Sequence, residues 1–354
     1  MFAELPRTQF DSIRLLLAGL PQTCSADAVV DGTCPGRVWV DAAAAPRCAL
    51  VESPEGYYAV GDPANKAFVA SVRALVVDTL LPEAKADEWI WVLLRATSDA
   101  WGRALDQAFD DIACVRDGGQ FHTCDRLAFD WRAAVPPGFR VQQADAVLLA
   151  RTDLKNIERV AGWGRHNFGS VDAFLAHGFA FCTLHGDDIA SWSVSDCVSR
   201  GRCEIGIHTD ARYRRRGLAT LTAAAAVDHA LSQGLASVGW HCVRHNLGSQ
   251  ATARKVGFRK VLDYRELKVC VAEGDSHAIH GNLALLDGEY AVAAEAFAKA
   301  FGVAEASTLL ASADARVRYL FQAACAAALA GDMAVAKKSL SEAIEASTMR
   351  QNGY

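Results

Sequence analysis

No two of the 11 cysteines in this 354-residue chain are spaced C-x-x-C, and no Cys/His cluster has zinc-finger intervals. Without metal-ligand spacing no structural metal site is expected, and the scattered, odd-numbered cysteines point to free thiols in a reducing, cytoplasmic setting. No apolar run approaches the roughly 18 residues of a membrane span, so no membrane association is expected. Within the first ten residues Glu4, Pro6 and Arg7 break up any signal-peptide core. Basic residues are not in excess: 36 Lys+Arg stand against 41 Asp+Glu, a net charge of −5, which leaves no footprint for nucleic acid. The phosphate loop G-x-x-x-x-G-K-[ST] and the elbow G-x-S-x-G are both missing. Gly162-Trp163-Gly164 starts like a dinucleotide fingerprint, but Asn167 stands where the third glycine should be.

The remainder is an ordinary globular composition, 51% hydrophobic and 22% charged, in a chain long enough for two or three domains. Residues 1–138 mix strand-like stretches (Arg37 to Asp41, Tyr57 to Val60) with apolar residues at helical spacing over Phe68 to Leu81 and Glu88 to Phe109. Pro136-Pro137-Gly138 closes this region. Residues 139–270 alternate strands and helices. Phe139 to Gln143, Phe179 to Leu184, Ile189 to Ser195, Cys203 to Thr209, Ser237 to Val243 and a last segment ending near Cys270 read as strands. Asp153 to Val160, Val171 to His177, Leu218 to Gln233 and Leu247 to Lys255 read as helices. Residues 271–354 are helical and contain a repeat. Gly288-Glu289-Tyr290-Ala291-Val292-Ala293 matches Gly331-Asp332-Met333-Ala334-Val335-Ala336. Helix, Gly-acid turn and helix is the tetratricopeptide (TPR) pattern, although the interval from Gly288 to Gly331 exceeds the roughly 34 residues of that repeat. Two TPR-like hairpins with extra helix between them are expected.

The densest chemical signal is Arg214-Arg215-Arg216-Gly217-Leu218-Ala219-Thr220, which follows a strand and opens a helix. Unpaired N–H groups and partial positive charge make a helix start suitable for a phosphate. Gly217 allows close approach, and arginines add charge-assisted donors. Further on come Asn246, Ser249, Ala253, Val256, Gly257 and Phe258. In order and spacing, the two segments resemble the GNAT superfamily of N-acetyltransferases. The run from Cys197 to Phe258 is more narrowly similar to a bacterial subfamily in which an extra N-terminal α/β domain precedes the GNAT unit.

That resemblance implies an α+β fold: a GNAT domain with a twisted mixed sheet flanked by helices at 139–270, an α/β domain before it, and the TPR-like helices after it. It implies acetyl-CoA as acyl donor, with no metal. The donor would be held by Ile207, Thr209, Arg214, Arg215, Arg216, Gly217, Leu218, Ala219, Thr220, Asn246 and Ser249. Ser249 is equally a candidate helix cap. A small-molecule amine would be the acceptor, acylated by direct transfer.

For proton transfer, strand alternation puts Glu204, Gly206 and His208 on one face and Ile205, Ile207 and Thr209 on the other. Glu204 is the first candidate base, with His208 and His241 next. Trp240 reads as a wall, and Cys242 as a buried thiol. Asp187, Asp188, Arg200 and Arg202 read as solvated hairpin charges. Arg165, His166 and Asn167 join two helices on the expected acceptor side. Ala253 occupies a position where many GNATs carry a proton-donating tyrosine. That departure keeps a second expectation open: a non-catalytic acyl-CoA sensor or scaffold whose C-terminal helices grip a protein partner or self-associate.

Overall fold

The computed structural model describes residues 2–304 and 307–351. Its strands are β1 (Ala3–Glu4), β2 (Val38–Val40), β3 (Cys48–Ser53), β4 (Gly56–Gly61), β5 (Trp91–Ala96), β6 (Cys114–Cys124), β7 (Arg140–Gln143), β8 (Ala180–His185), β9 (Asp188–Ser199), β10 (Arg202–Thr209), β11 (Ser237–Val243) and β12 (Arg259–Cys270). They form one mixed sheet in the order β1-β2-β3-β4-β5-β12-β6-β11-β10-β9-β8-β7. The chain makes two compact units. The first comprises Met1–Phe68, Arg95–Gly102 and Gly118–Glu266; the second comprises Val69–Leu94, Arg103–Asp117 and Leu267–Tyr354. Among the described residues no helix is long and apolar enough to cross a membrane.

In the first unit the sheet has a core on each face. On one, Trp192, Val194 and Cys197 of β9 pack with Ala26, Val29 and Val30 of the helix Cys24–Asp31 and with Phe168 and Phe174. On the other, Ile205, Val238 and Trp240 pack with the helix Leu218–Ser232. Ala223, Ala224, Ala225 and Ala226 of that helix are all buried, and their small side chains let its backbone lie close to the strands. β6 pairs antiparallel with β11, from Val238 opposite Cys124 to Val243 opposite Gly119. The sheet is therefore completed by a strand from residues expected to form a separate N-terminal domain.

Over 139–270 the elements Val171–His177 and Ser237–Val243 form as read, but the helix expected over Asp153 to Val160 is Ile157–Phe168, so Arg165, His166 and Asn167 lie within a helix and not in a joining segment. Two further readings need correction. The helix expected over Glu88 to Phe109 is strand β5 followed by the helix Asp99–Ala108. The run Trp91-Val92-Leu93-Leu94 is apolar throughout, so its spacing fits either periodicity, and pairing in the sheet decides. The hairpin charges are also not simply solvated. Asp188 is buried, accepts the Tyr213 hydroxyl at 2.7 Å and pairs with Lys155 and Arg212 at 3.1 Å. Arg202 bonds Asp27 at 2.6 Å.

In the second unit the helix Glu273–Asp287 packs on Tyr290–Gly302, which packs on Ala313–Leu329, which packs on Met333–Gln351, while the short helix Thr308–Ala311 lies against Glu273–Asp287 and Ala313–Leu329. Gly288 (φ 79°) and Gly331 (φ 91°) sit at the two Gly-acid turns, in the left-handed region that favours glycine. Phe297 and Tyr319 anchor a core otherwise rich in alanine.

Candidate active site

Strands β10 and β11 run parallel and pair from Arg202–Ser237 to Glu204–Gly239. No described pair follows, although β10 continues to Thr209 and β11 to Val243. The outer edges of both strands stay paired, β10 with β9 through Thr209 and β11 with β6 through Val243. Their inner edges thus separate after Glu204, and backbone N–H and C=O groups face the gap without a ladder partner.

Immediately beyond β10 the chain turns into the helix Leu218–Ser232. Asp210 shapes the turn, accepting from the backbone and guanidinium of Arg212 and from Asn156 Nδ2. These bonds, with the Arg212 charge, hold its carboxyl well below the usual carboxylate range. Arg215 (φ 64°) and Gly217 (φ 78°) adopt left-handed backbone, and Gly217 caps the helix start. A Cβ on Gly217 would meet nothing within 4 Å, so backbone conformation and open space explain the glycine, not crowding.

The helix start borders a cleft of about 720 Å³. Of the expected donor-binding residues, Ile207, Thr209, Arg214, Arg215, Gly217, Leu218, Ala219, Thr220, Asn246 and Ser249 all line it. Arg216 does not; its guanidinium lies 5.6 Å from the centre of the Tyr213 ring. Tyr213, Gly248, Ala251, Thr252 and Lys255 are lining residues that sequence reasoning missed. Gly248, Ala251, Thr252 and Lys255 lie three or four apart on the helix Leu247–Val256, a spacing that could have revealed one helix face. No carboxylate stands among the described lining residues, while Arg214, Arg215 and Lys255 do. Free helix N–H groups, three cations and no opposing acid suit a polyanion.

Asn246 and Ser249 have defined local bonds. Asn246 Oδ1 accepts the Ser249 amide at 3.0 Å and caps the helix, whereas Ser249 Oγ accepts from Trp240 Nε1 at 2.9 Å. Ala253 is buried in the core between helix and sheet.

Of the three candidate bases, only His208 lines the cleft. Its ring stacks on Trp192 with centroids 4.6 Å apart, and burial, with Arg159 and Arg214 nearby, lowers its pKa, favouring the neutral base. Glu204 and His241 lie together outside the cleft lining. Glu204, only 2% exposed, accepts from His241 Nε2 at 3.2 Å and from Cys197 Sγ at 3.5 Å. His241 Nδ1 is 2.8 Å from Tyr264 Oη, and Arg95 donates to that hydroxyl at 3.0 Å. Arg95 also lies 3.5 Å from both Glu55 and Glu266. A buried polar chain thus runs from Glu204 to strands β5 and β12. Cys242 is buried, and burial raises its thiol pKa.

Residues 14–267 match the family model described as GNAT acetyltransferase. The chain is 24% identical over 263 residues to the uncharacterized N-acetyltransferase YdfB of Bacillus subtilis (strain 168), covering 74% of this chain and 96% of that protein. A GCN5-related N-acetyltransferase-like protein from Streptococcus suis 89/1591 superposes with a TM-score of 0.55 at 22% identity, covering 74% of this chain and 98% of the other. A tandem GNAT protein from the clavulanic acid biosynthesis pathway superposes at 0.50 with 15% identity, covering 77% and 98%. At these identities the two structures speak to fold alone.

Proposed function

This chain belongs to the GNAT acetyltransferase family, whose chemistry is acyl transfer from acyl-CoA, and from that premise we propose that it N-acetylates a small-molecule amine by direct transfer in a ternary complex. The observation that carries the reading is the parting of β10 from β11 after Glu204–Gly239, beside a cationic cleft at a helix start. Acetyl-CoA fits that cleft chemically. Its pyrophosphate would take the N–H groups of residues 217–220, with Arg214, Arg215 and Lys255 supplying charge. Its pantetheine arm would follow the helix face carrying Gly248, Ala251 and Thr252. When bound, acetyl-CoA supplies the activated thioester. The chain's part is to hold it, exclude water and remove a proton from the amine. Glu204, directly or through water, is the proposed base. His241 holds its carboxylate in place, and neutral His208 stands in reserve at the cleft.

The N-terminal residues 1–138 are proposed as an accessory α/β lobe, and the C-terminal helices as two TPR-like hairpins. Exposed Leu286, Phe321, Leu329, Met333 and Ile344 support a role for those helices in self-association or partner binding.

Mass spectrometry of a panel of primary amines incubated with acetyl-CoA tests the reading. N-acetylated product with equivalent thiol is expected; intact acetyl-CoA beside every amine overturns it.

A further inference from the structure

We propose that Cys24, Cys197 and Glu204 form a buried site for a thiophilic divalent cation, Zn2+ in the first instance, which takes Glu204 out of proton transfer when it is filled. The site stands on geometry alone; only its effect on the rate rests on the acetyl-transfer reading.

Cys197 of β9 and Glu204 of β10 stand directly opposite each other in the antiparallel pair, so their side chains leave the same face of the sheet. A bulge follows at once: pairing passes from Cys197–Glu204 to Ser195–Ile205 and skips Asp196. Bulges re-aim side chains and recur beside active sites. Cys24 opens the helix Cys24–Asp31, and it shares one buried core with Cys197. The Sγ atoms of Cys24 and Cys197 and a carboxylate oxygen of Glu204 all lie within 4.8 Å of one another. The three residues are 2%, 0% and 2% exposed, and both cysteines are free thiols. Among the described residues no other group of three His, Cys, Asp or Glu side chains converges in this way.

The separations suit zinc. Tetrahedral zinc, with bonds of about 2.3 Å to sulfur and about 2.1 Å to oxygen, holds those two ligand atoms about 3.6 Å apart. Cys197 Sγ stands 3.5 Å from Glu204 Oε2. On binding, Cys24 and Cys197 each release a proton to solvent, and the ion replaces the thiol hydrogen that now lies between Cys197 and Glu204. Two thiolates beside one carboxylate select a soft or borderline cation over Mg2+ or Ca2+. A disulfide between the two sulfurs would need no carboxylate, and it would take from buried Glu204 its Cys197 donor. The other carboxylate oxygen is already oriented. Glu204 Oε1 accepts from His241 Nε2 at 3.2 Å, and His241 Nδ1 lies 2.8 Å from Tyr264 Oη. Outer partners of this kind hold metal ligands in place. Three protein ligands leave a fourth position for water. Glu204 stands at the last rung before β10 parts from β11, so the gap is the route of entry. With Oε2 on a cation, the carboxylate no longer takes a proton from an amine.

Cd2+ alone, added to the reduced full chain, reports thiolate ligation by ultraviolet charge-transfer absorption, and Zn2+ alone competes for the same site. The expected result is saturation at a single equivalent in wild type and in Cys182→Ala, which removes a buried thiol outside the group. Affinity should be weakened by roughly tenfold or more in Cys24→Ala and in Cys197→Ala. Absence of saturable absorption in wild type overturns the proposal, as does unchanged affinity in either cysteine variant. Glu204→Gln keeps it testable should a cysteine variant fail to fold, since unchanged affinity there also overturns it. Acetylated amine, measured by mass spectrometry with and without Zn2+, separates the site from the reading of Glu204 as base. Zn2+ should lower product formation by roughly tenfold or more in wild type and by less than about twofold in Cys24→Ala. Cation binding through both cysteines with product formation unchanged keeps the site and removes Glu204 as base. No product even without Zn2+ sinks acetyl transfer and leaves the site standing.

Discussion

Glu204 lies over Gly239, its partner at the last rung joining β10 to β11. A Cβ on Gly239 would come within 2.7 Å of Glu204 Cγ and 2.9 Å of Phe121 Cε2. The place where the strands part is therefore also the place where the proposed base is set by packing. Gly239→Ala should cost about 1–3 kcal/mol through overpacking and lower kcat, because Glu204 must move. Urea unfolding and steady-state kinetics check both effects. A variant with wild-type stability and rate would show that the contact relaxes freely.

Glu204→Gln keeps the shape and removes the charge. The rate of amine-dependent thiol release should fall roughly a hundredfold or more, with acetyl-CoA affinity held within about twofold. A wild-type rate across the pH range would remove Glu204 from the mechanism.

Gly217→Val places a side chain in the open space at the helix start and forces a β-branched residue to a positive φ. A stability loss of about 1–2 kcal/mol is expected, with acetyl-CoA affinity reduced by roughly tenfold or more. Titration by calorimetry reads this. Unchanged affinity would move the phosphate site elsewhere.

Arg95→Met should be severe. It leaves buried Glu266 without its cation and takes a donor from Tyr264. A loss of about 3–5 kcal/mol is expected from urea unfolding. A neutral result would show that stability does not depend on the Arg95–Glu266 pair.

The ring of His229 sits between Phe179 and Phe181, and burial lowers its pKa. The unfolded chain then binds the proton more readily. The stabilising effect of His229 is full above the unfolded-state pKa of about 6.5 and is lost as pH falls through the window below it. Stability of wild type relative to His229→Gln should therefore decline from pH 7.5 to pH 5.5. A pH-independent difference would contradict the burial argument.

Much of the cleft was legible in the sequence because its residues are local. The run Arg214 to Thr220 carries its own turn chemistry, and strict alternation put Glu204, Gly206 and His208 on one face. What escaped depends on pairing over long distances. β6 carries Gly118-Gly119 and few consecutive apolar residues, and its place between β12 and β11 makes it a strand. Arg95 and Tyr264 reach the Glu204 chain from strands β5 and β12, and no spacing rule links them to it. Asp196 falls one residue beyond the strand expected over Ile189 to Ser195, and its bulge appears only once the register of two strands is known.

The central claim is that the cleft beside Gly217 holds acetyl-CoA for transfer to an amine. Acetyl-CoA titrated into the full chain by calorimetry, with thiol release followed in the same sample across a panel of amines, tests it most directly. The account predicts one-to-one binding and thiol release only when an amine is present. Absence of acetyl-CoA binding would contradict it at the root.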